Sequence, residues 1–270
     1  MDDDTLPLSP PDVGVPTIAR MDNYLLGGKD HYEAERQASH RLLTMVPTAR
    51  TVAVHRRRFL ERVVRTLARE LGIRQFIDHG CGLPALDNVH EIAQRVHPHA
   101  RTVYVDDDPV VASYGQAYLE RDERTAFLRA DIREPAAVLD HPRVRELFDP
   151  REPVAALFVS VLHCVPDQDD PAGIIGTVAS RLPSGSAVVI SHLVSDEEDV
   201  RERVTDFMRR RTRGSWGRVR SRQEVERCFA PLEILHPGVV DVCAWRPDSE
   251  LARVVGSGRW MEYGGVGRVR

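Results

Sequence analysis

The chain is predicted to fold as an α/β protein on an open parallel sheet, and three observations carry that expectation. From residue 73 onward, short apolar runs alternate with helical segments, the order that lays strands side by side with helices on both faces. The first run leads into a glycine-bearing turn, His79-Gly80-Cys81-Gly82. Later runs end in Asp106, Asp131 and Ser160, and strand ends of an open parallel sheet converge on one crevice.

Residues 1–16 hold four prolines and four aspartates and read as a solvated tail, too polar to bury a core. Residues 17–72 read as a helical cap. Within it Val52, Phe59, Leu60, Val63, Val64, Leu67 and Leu71 recur at the three- and four-residue spacing of an amphipathic helix, which Gly72 stops. Residues 73–270 read as the core. Its strands are expected at Phe76-Ile77, Thr102–Val105, Ala126–Leu128, Ala155–Val159 and Ala187–Ile190. Helices are expected at Asn88–Val96, Pro109–Leu119 and Gly173–Leu182. Leu232–Leu235, Val239–Cys243 and Tyr263–Val269 read as late strands joined by tight turns.

Composition narrows the function. With 270 residues, 42% hydrophobic and 29% charged, the chain can build one large core and is not generally disordered. A net charge of −4 argues against a dedicated nucleic-acid or membrane-surface binder. No apolar run approaches the length of a membrane-spanning helix. The acidic, proline-rich start lacks the basic-then-apolar order of a secretion signal. Cys81, Cys164, Cys228 and Cys243 lie far apart without a CxxC pair, so neither a disulfide framework nor a sequence-local zinc site is expected. The expectation is a reduced cytoplasmic protein without a metal site.

The stretch IDHGCGLPALDN is the most informative. Gly80 and Gly82 permit a tight turn and close backbone approach to a nucleotide-like ligand at a strand end. Gly80-x-Gly82-x-x-Ala85 also fits the dinucleotide fingerprint. Asp106 follows at roughly the 20-residue interval at which an acidic residue accepts from ribose hydroxyls, with Asp107 beside it. Asp108-Pro109 can equally cap a helix. Asp131 places another carboxylate on the same edge, and Ser160-Val161-Leu162-His163 closes the fourth strand.

The order Asp78-x-Gly80-x-Gly82, Asp106, Ala130-Asp131-Ile132 is similar to that of class I S-adenosylmethionine-dependent methyltransferases. More narrowly, ARMDNYLLGGKDHYEAERQ, FIDHGCGLPALDNVHEIAQ, VYVDDDPVV, ADIREP and YGGVGRV resemble a family of actinomycete S-adenosyl methyltransferases catalogued as having unknown function. The likeness runs from about Ile18 to the C-terminus. It implies a Rossmann-like, seven-stranded sheet with the last strand antiparallel, and an N-terminal YLLGGKD segment that closes over the cofactor, S-adenosylmethionine.

Carried over by position, Gly80 and Gly82 let backbone approach the cofactor, and Asp78 holds the loop or reaches the methionine amine. Asp106 takes the ribose hydroxyls. Asp131 and the Ile132 amide meet adenine, and the Ser160 and Val161 carbonyls meet the methionine amino group. Pro84 stands where the common pattern has its third glycine. Gly27 and Gly28 form either a hinge that brings Tyr24 and Lys29 over the pocket or a plain helix break. Lys29, the only lysine among 37 basic residues, is expected to reach the methionyl carboxylate or an acidic acceptor. His163, Tyr24 and His192 are the candidates for deprotonating the acceptor.

The resulting expectation is methyl transfer, in line, to a small molecule. Two alternatives stand beside it: an NAD(P)-dependent oxidoreductase on the same glycines, and a non-catalytic sensor of S-adenosyl compounds. About 70 residues of helix before the first strand count against the oxidoreductase, whose fold often begins near its fingerprint. Nine arginines between Arg201 and Arg222 read as a solvated helix face, with an acidic acceptor or nucleic acid as the other possibility.

Overall fold

A computed structural model describes residues 12–249 and 259–270, so most of the proline-rich tail lies outside the described residues. Three helices, α1 (Ile18–Leu25), α2 (Glu33–Met45) and α3 (Ala49–Leu71), precede β1 (Gln75–His79). Then come β2 (Arg101–Asp106), β3 (Thr125–Arg129), β4 (Val154–Val159) and β5 (Ala187–Val194), all parallel. The connecting helices are α4 (Val89–Gln94), α5 (Pro109–Tyr118), α6 (Pro135–Asp140), α7 (Pro142–Leu147) and α8 (Pro171–Arg181). After β5 follow α9 (Glu198–Arg211), α10 (Arg222–Arg227), β6 (Glu233–Ile234), β7 (Val240–Asp241) and β8 (Met261–Arg268).

The sheet order is β3-β2-β1-β4-β5-β8-β6, with β7 also paired to β8. β8 inserts antiparallel beside β5. The sheet therefore has eight strands rather than the expected seven, for a simple reason. β6 pairs with Arg268 and Gly267, and β7 pairs with Gly264 and Tyr263. Two two-residue stubs thus share one edge of β8 and fill a single seventh position.

Strands β1 and β4 are buried almost throughout, as continuous apolar runs covered on both faces must be. The apolar stripe of α3 supplies one cover: Phe59, Val63, Val64 and Leu67 pack on Phe76, Tyr104, Leu157 and Val189. Gly72, in the left-handed region at φ 64°, ends that helix as its cap, where a side chain would be strained. Helices α8 and α10 cover Ala156, Phe158 and Ile190 on the other face. A separate cluster joins Met21, Leu42 and Val52 to Val204, Met208, Trp216 and Trp260, so α1 and α2 pack on α9. The buried Arg20–Glu35 pair at 2.9 Å ties α1 to α2. Among the described residues no helix is long and apolar enough to cross a membrane.

Candidate functional site

The parallel strands aim their carboxyl ends at one cavity of about 1070 Å³, lined on the far side by residues of α1, α2 and α3. Its floor begins at the glycine turn. Gly80 N and Cys81 N both donate to Val105 O, at 2.7 and 3.1 Å. The Gly82 amide donates to Asp106 Oδ2 at 2.9 Å, so the turn after β1 is fastened to the tip of β2. Gly80 has φ +69°, and a Cβ there would stand 2.2 Å from Val161 Cγ2. Glycine is required on both counts.

Two buried carboxylates face this turn. Asp78 and Asp106 are only 6% and 8% exposed. Burial pushes Asp78 up to about 7 against the opposing pull of Arg57. Burial likewise raises Asp106 to about 7, although the Gly82 and Asp108 amides favour its charged form. Asp107 is raised by burial and by the neighbouring Asp131. Asp131 is held differently. Arg133 Nε donates to both its oxygens, at 3.0 and 2.8 Å, and these bonds keep its carboxyl below the ordinary range despite partial burial. Asp108 performs the capping role, accepting from Val110 N at 2.7 Å, with Pro109 opening α5.

Ser160, at the tip of β4, sits in the left-handed region at φ 59° and is held by Ser191, whose carbonyl and hydroxyl oxygens accept from its amide at 3.0 and 3.1 Å. A buried charge network runs beneath it. Arg56 Nη1 donates to Ser160 Oγ at 3.3 Å, and Ser160 Oγ donates to Glu262 Oε2 at 3.2 Å. Ser191 Oγ donates to Glu262 Oε1 at 2.7 Å. Arg56 also pairs with Asp22 of α1. Burial opposes the charge on Arg56, but Asp22 and Glu262 more than offset it and its pKa is raised. Burial lifts Glu262 to about 7.

Arg56, Arg57, Asp22 and Glu262 are functional candidates that the sequence reading missed. For the arginines a signal existed. Arg56 lies four residues from both Val52 and Leu60, and Arg57 four from Ala53, so both occupy apolar-stripe positions of α3 where a charge needs a reason. Arg57 Nη2 donates to Leu86 O and Asp87 O at 2.7 and 2.6 Å. It lines the cavity without a carboxylate at ion-pair distance among the described residues.

Of the residues singled out in the sequence, Gly27, Gly28, Asp78, Gly80, Gly82, Asp106, Asp107, Asp131, Ile132, Ser160, Val161 and His163 come together on the cavity wall. Tyr24 and Lys29 do not. The Tyr24 hydroxyl lies 2.6 Å from His40 Nε2, and its ring meets the edge of His31 beneath the Arg50 guanidinium. Lys29 is exposed. Gly27 and Gly28 break α1, their amides donating to Tyr24 O and Asn23 O at 3.0 and 2.8 Å. That tight turn carries Lys29 outward.

His163 follows β4 in a 3-10 turn, Leu162–Cys164. It is 2% exposed, its ring 4.4 Å from Trp216 and 5.5 Å from His192. Its Nδ1 is buried without a partner, and burial, with His192 and two arginines nearby, holds its pKa well below the usual histidine range. His192 is structural: Arg220 Nη1 lies 2.9 Å from its Nε2 and Leu193 O 2.6 Å from its Nδ1. Arg220 itself departs from the solvated-face expectation. It is 4% exposed and donates to Leu162 O and Val165 O, each at 2.9 Å, and to Asp167.

Comparison with known proteins agrees with this geometry. The family described as S-adenosyl methyltransferase matches residues 8–270. A DUF574 family protein from Streptomyces avermitilis is 36% identical with a TM-score of 0.87, covering 96% of this chain and 99% of its own. A candidate methyltransferase from Thermobifida fusca is 37% identical with a TM-score of 0.89, covering 96% of this chain and 97% of its own. A comparison with curated proteins gives no match. With the match spanning the fold and the strand-tip cavity alike, the chain belongs to the S-adenosyl methyltransferase family, and its cofactor is S-adenosylmethionine.

Proposed function

We propose that the enzyme methylates a small molecule bound beside the cofactor, in a water-poor chamber at the strand tips. One observation supports this above others: a single cavity of about 1070 Å³ runs from the Asp106 carboxylate past His163 to the inner faces of α1 and α2. Pockets that take one drug-sized ligand measure about 300–1,000 Å³, and this one lies just above that range, which supports a nucleoside-sized molecule with a small acceptor beside it.

The donor set fits S-adenosylmethionine. Beyond Gly82 a Cβ would meet nothing within 4 Å, which leaves room for a ligand against backbone. In this reading Asp106, with Asp107 beside it, takes the ribose hydroxyls, and Asp131 with the Ile132 amide takes adenine. Asp78 and the Ser160 and Val161 carbonyls take the methionine amino group. Arg57, rather than Lys29, takes the carboxylate, because it already faces the cavity and has no carboxylate at ion-pair distance among the described residues. When bound, the cofactor supplies an electrophilic methyl group on a sulfonium, set for in-line transfer.

The remaining work falls to the chain. Helices α1 and α2, part of the cap that ends near residue 72, exclude water, and the Asp22–Arg56 pair latches α1 to α3. His163 accepts the proton that the acceptor gives up and passes it on rather than retaining it. Its depressed pKa keeps the imidazole neutral and able to accept, and a weak base suffices for a proton made acidic by methylation. A cytoplasmic location belongs to the same reading, supported by free thiols at Cys81, Cys164 and Cys228. Calorimetric titration with S-adenosylhomocysteine and with NAD tests the assignment of the cavity. The homocysteine compound is expected to bind and NAD not to; the reverse result would overturn the reading.

A further inference from the structure

We infer that the methyl acceptor is a neutral, largely apolar, ring-sized molecule carrying an oxygen; this rests on the cofactor reading of the same cavity. Past His163 the cavity wall is built from Met21, Leu42, Val52, Met208, Trp216 and Trp260. All six are buried members of one apolar cluster. They come from α1, α2, α3, α9 and two segments beyond, so apolar side chains from several elements converge on this part of the wall.

The charged groups nearest this wall are partly engaged: Asp30, at the cavity rim, accepts from Tyr114 Oη at 3.0 Å. Asp22 pairs with Arg56, and Arg213 pairs with Asp12 at 3.0 Å. An ionic acceptor seated against these six side chains would give up its hydration with no counter-charge supplied by any of them, which is strongly unfavourable. A neutral ring loses little on entry and gains contact with two indoles, one of which packs 4.4 Å from the His163 imidazole. The two methionines are unbranched and adapt to an irregular ring outline.

The polar atoms here ask for one more feature. The indole Nε1 atoms of Trp216 and Trp260 are buried with no hydrogen-bond partner, as is His163 Nδ1. A hydroxyl or carbonyl oxygen on the ring supplies the acceptor that an indole N–H lacks. Bare hydrocarbon would leave those groups unpaired.

Three probes of one shape decide the matter: 1-naphthol, the anion 1-naphthalenesulfonate and the cation 1-naphthylmethylammonium. Each is titrated calorimetrically into the full chain saturated with S-adenosylhomocysteine. The expected result is that 1-naphthol binds at least about tenfold more tightly than either ion. Trp216→Ala is expected to weaken 1-naphthol by about tenfold or more while S-adenosylhomocysteine affinity stays within about twofold. Should that variant lose both ligands through misfolding, the three-probe comparison on the parent chain decides alone. Either ion binding as tightly as 1-naphthol, or no binding of 1-naphthol to a chain that does bind S-adenosylhomocysteine, overturns the inference. Failure to bind S-adenosylhomocysteine at all overturns the cofactor reading beneath it.

Discussion

The backbone amide of Gly82 rests on the side chain of Asp106, N to Oδ2, at 2.9 Å, while the other carboxylate oxygen accepts from Asp108 N at 3.1 Å. One side chain therefore orders the glycine turn and caps its own strand end, and it presents the same carboxylate to the cavity. Hydrogen bonds to a charged group contribute about 1.5–3 kcal/mol each. Asp106→Ala is expected to weaken S-adenosylhomocysteine binding at least about tenfold, and Asp106→Asn, which keeps one acceptor oxygen, to lose less. Equal affinity in all three proteins by calorimetry would remove Asp106 from the site.

Raised carboxylates make stability and binding respond to pH in opposite directions. Asp78 and Asp106 titrate near 7 in the folded chain against an ordinary 3.8, and Glu262 near 7 against 4.5. Between those values the folded state holds protons that the unfolded chain has released. The contribution of these groups to stability therefore falls as pH rises from about 4 to about 7 and is level above that. A ribose hydroxyl or an ammonium instead needs the ionised carboxylates, so affinity should climb over about pH 6 to 8. Titrations across that range check the rise, and Asp106→Asn should flatten part of it. A profile independent of pH would contradict the roles given to both aspartates.

Arg57 and Lys29 separate cleanly by experiment. Arg57 lines the cavity; Lys29 is exposed. Arg57→Ala should weaken S-adenosylhomocysteine at least about tenfold and 5′-methylthioadenosine, which lacks the amino acid end, by less than about twofold. Lys29→Ala should leave both unchanged. An equal loss of both ligands in Arg57→Ala would mean that the arginine only supports the Leu86 and Asp87 carbonyls it binds.

Much of the fold was legible because strands buried on both faces read as unbroken apolar runs, and Asp106, Asp131 and Ser160 were legible as polar residues where such runs stop. The six-residue helices α6, α7 and α10 were not, each being too short for a periodic pattern; α4, equally short, was legible only within the longer expected segment Asn88–Val96. Glu262 was hidden for another reason. Its partners Ser191 and Ser160 lie 71 and 102 residues away, and only the insertion of β8 beside β5 brings them together. Lys29 stood out by composition, which carries no information on where a side chain points. Arg56 and Arg57 stood on the apolar stripe of α3, a contradiction between residue type and position that marks them without alignment.

Gly80 and Gly82 occupy the same backbone region, at φ +69° and +65°, yet substitution should separate two functions. At either site alanine meets left-handed strain of about 1–2 kcal/mol. At Gly80 the new methyl also meets Val161 Cγ2 at 2.2 Å, and overpacking of this kind adds about 1–3 kcal/mol. Around Gly82 nothing stands within 4 Å, so its methyl enters the cavity instead of the core. Gly80→Ala should therefore be the more destabilised variant in denaturant unfolding, and adding Val161→Ala should recover part of that loss but not the backbone strain. Gly82→Ala should remain closer to the parent in stability while losing S-adenosylhomocysteine affinity by at least about tenfold, because the methyl occupies the space that a ligand needs against the turn. If Gly82→Ala binds as the parent does, the ligand does not lie against this turn.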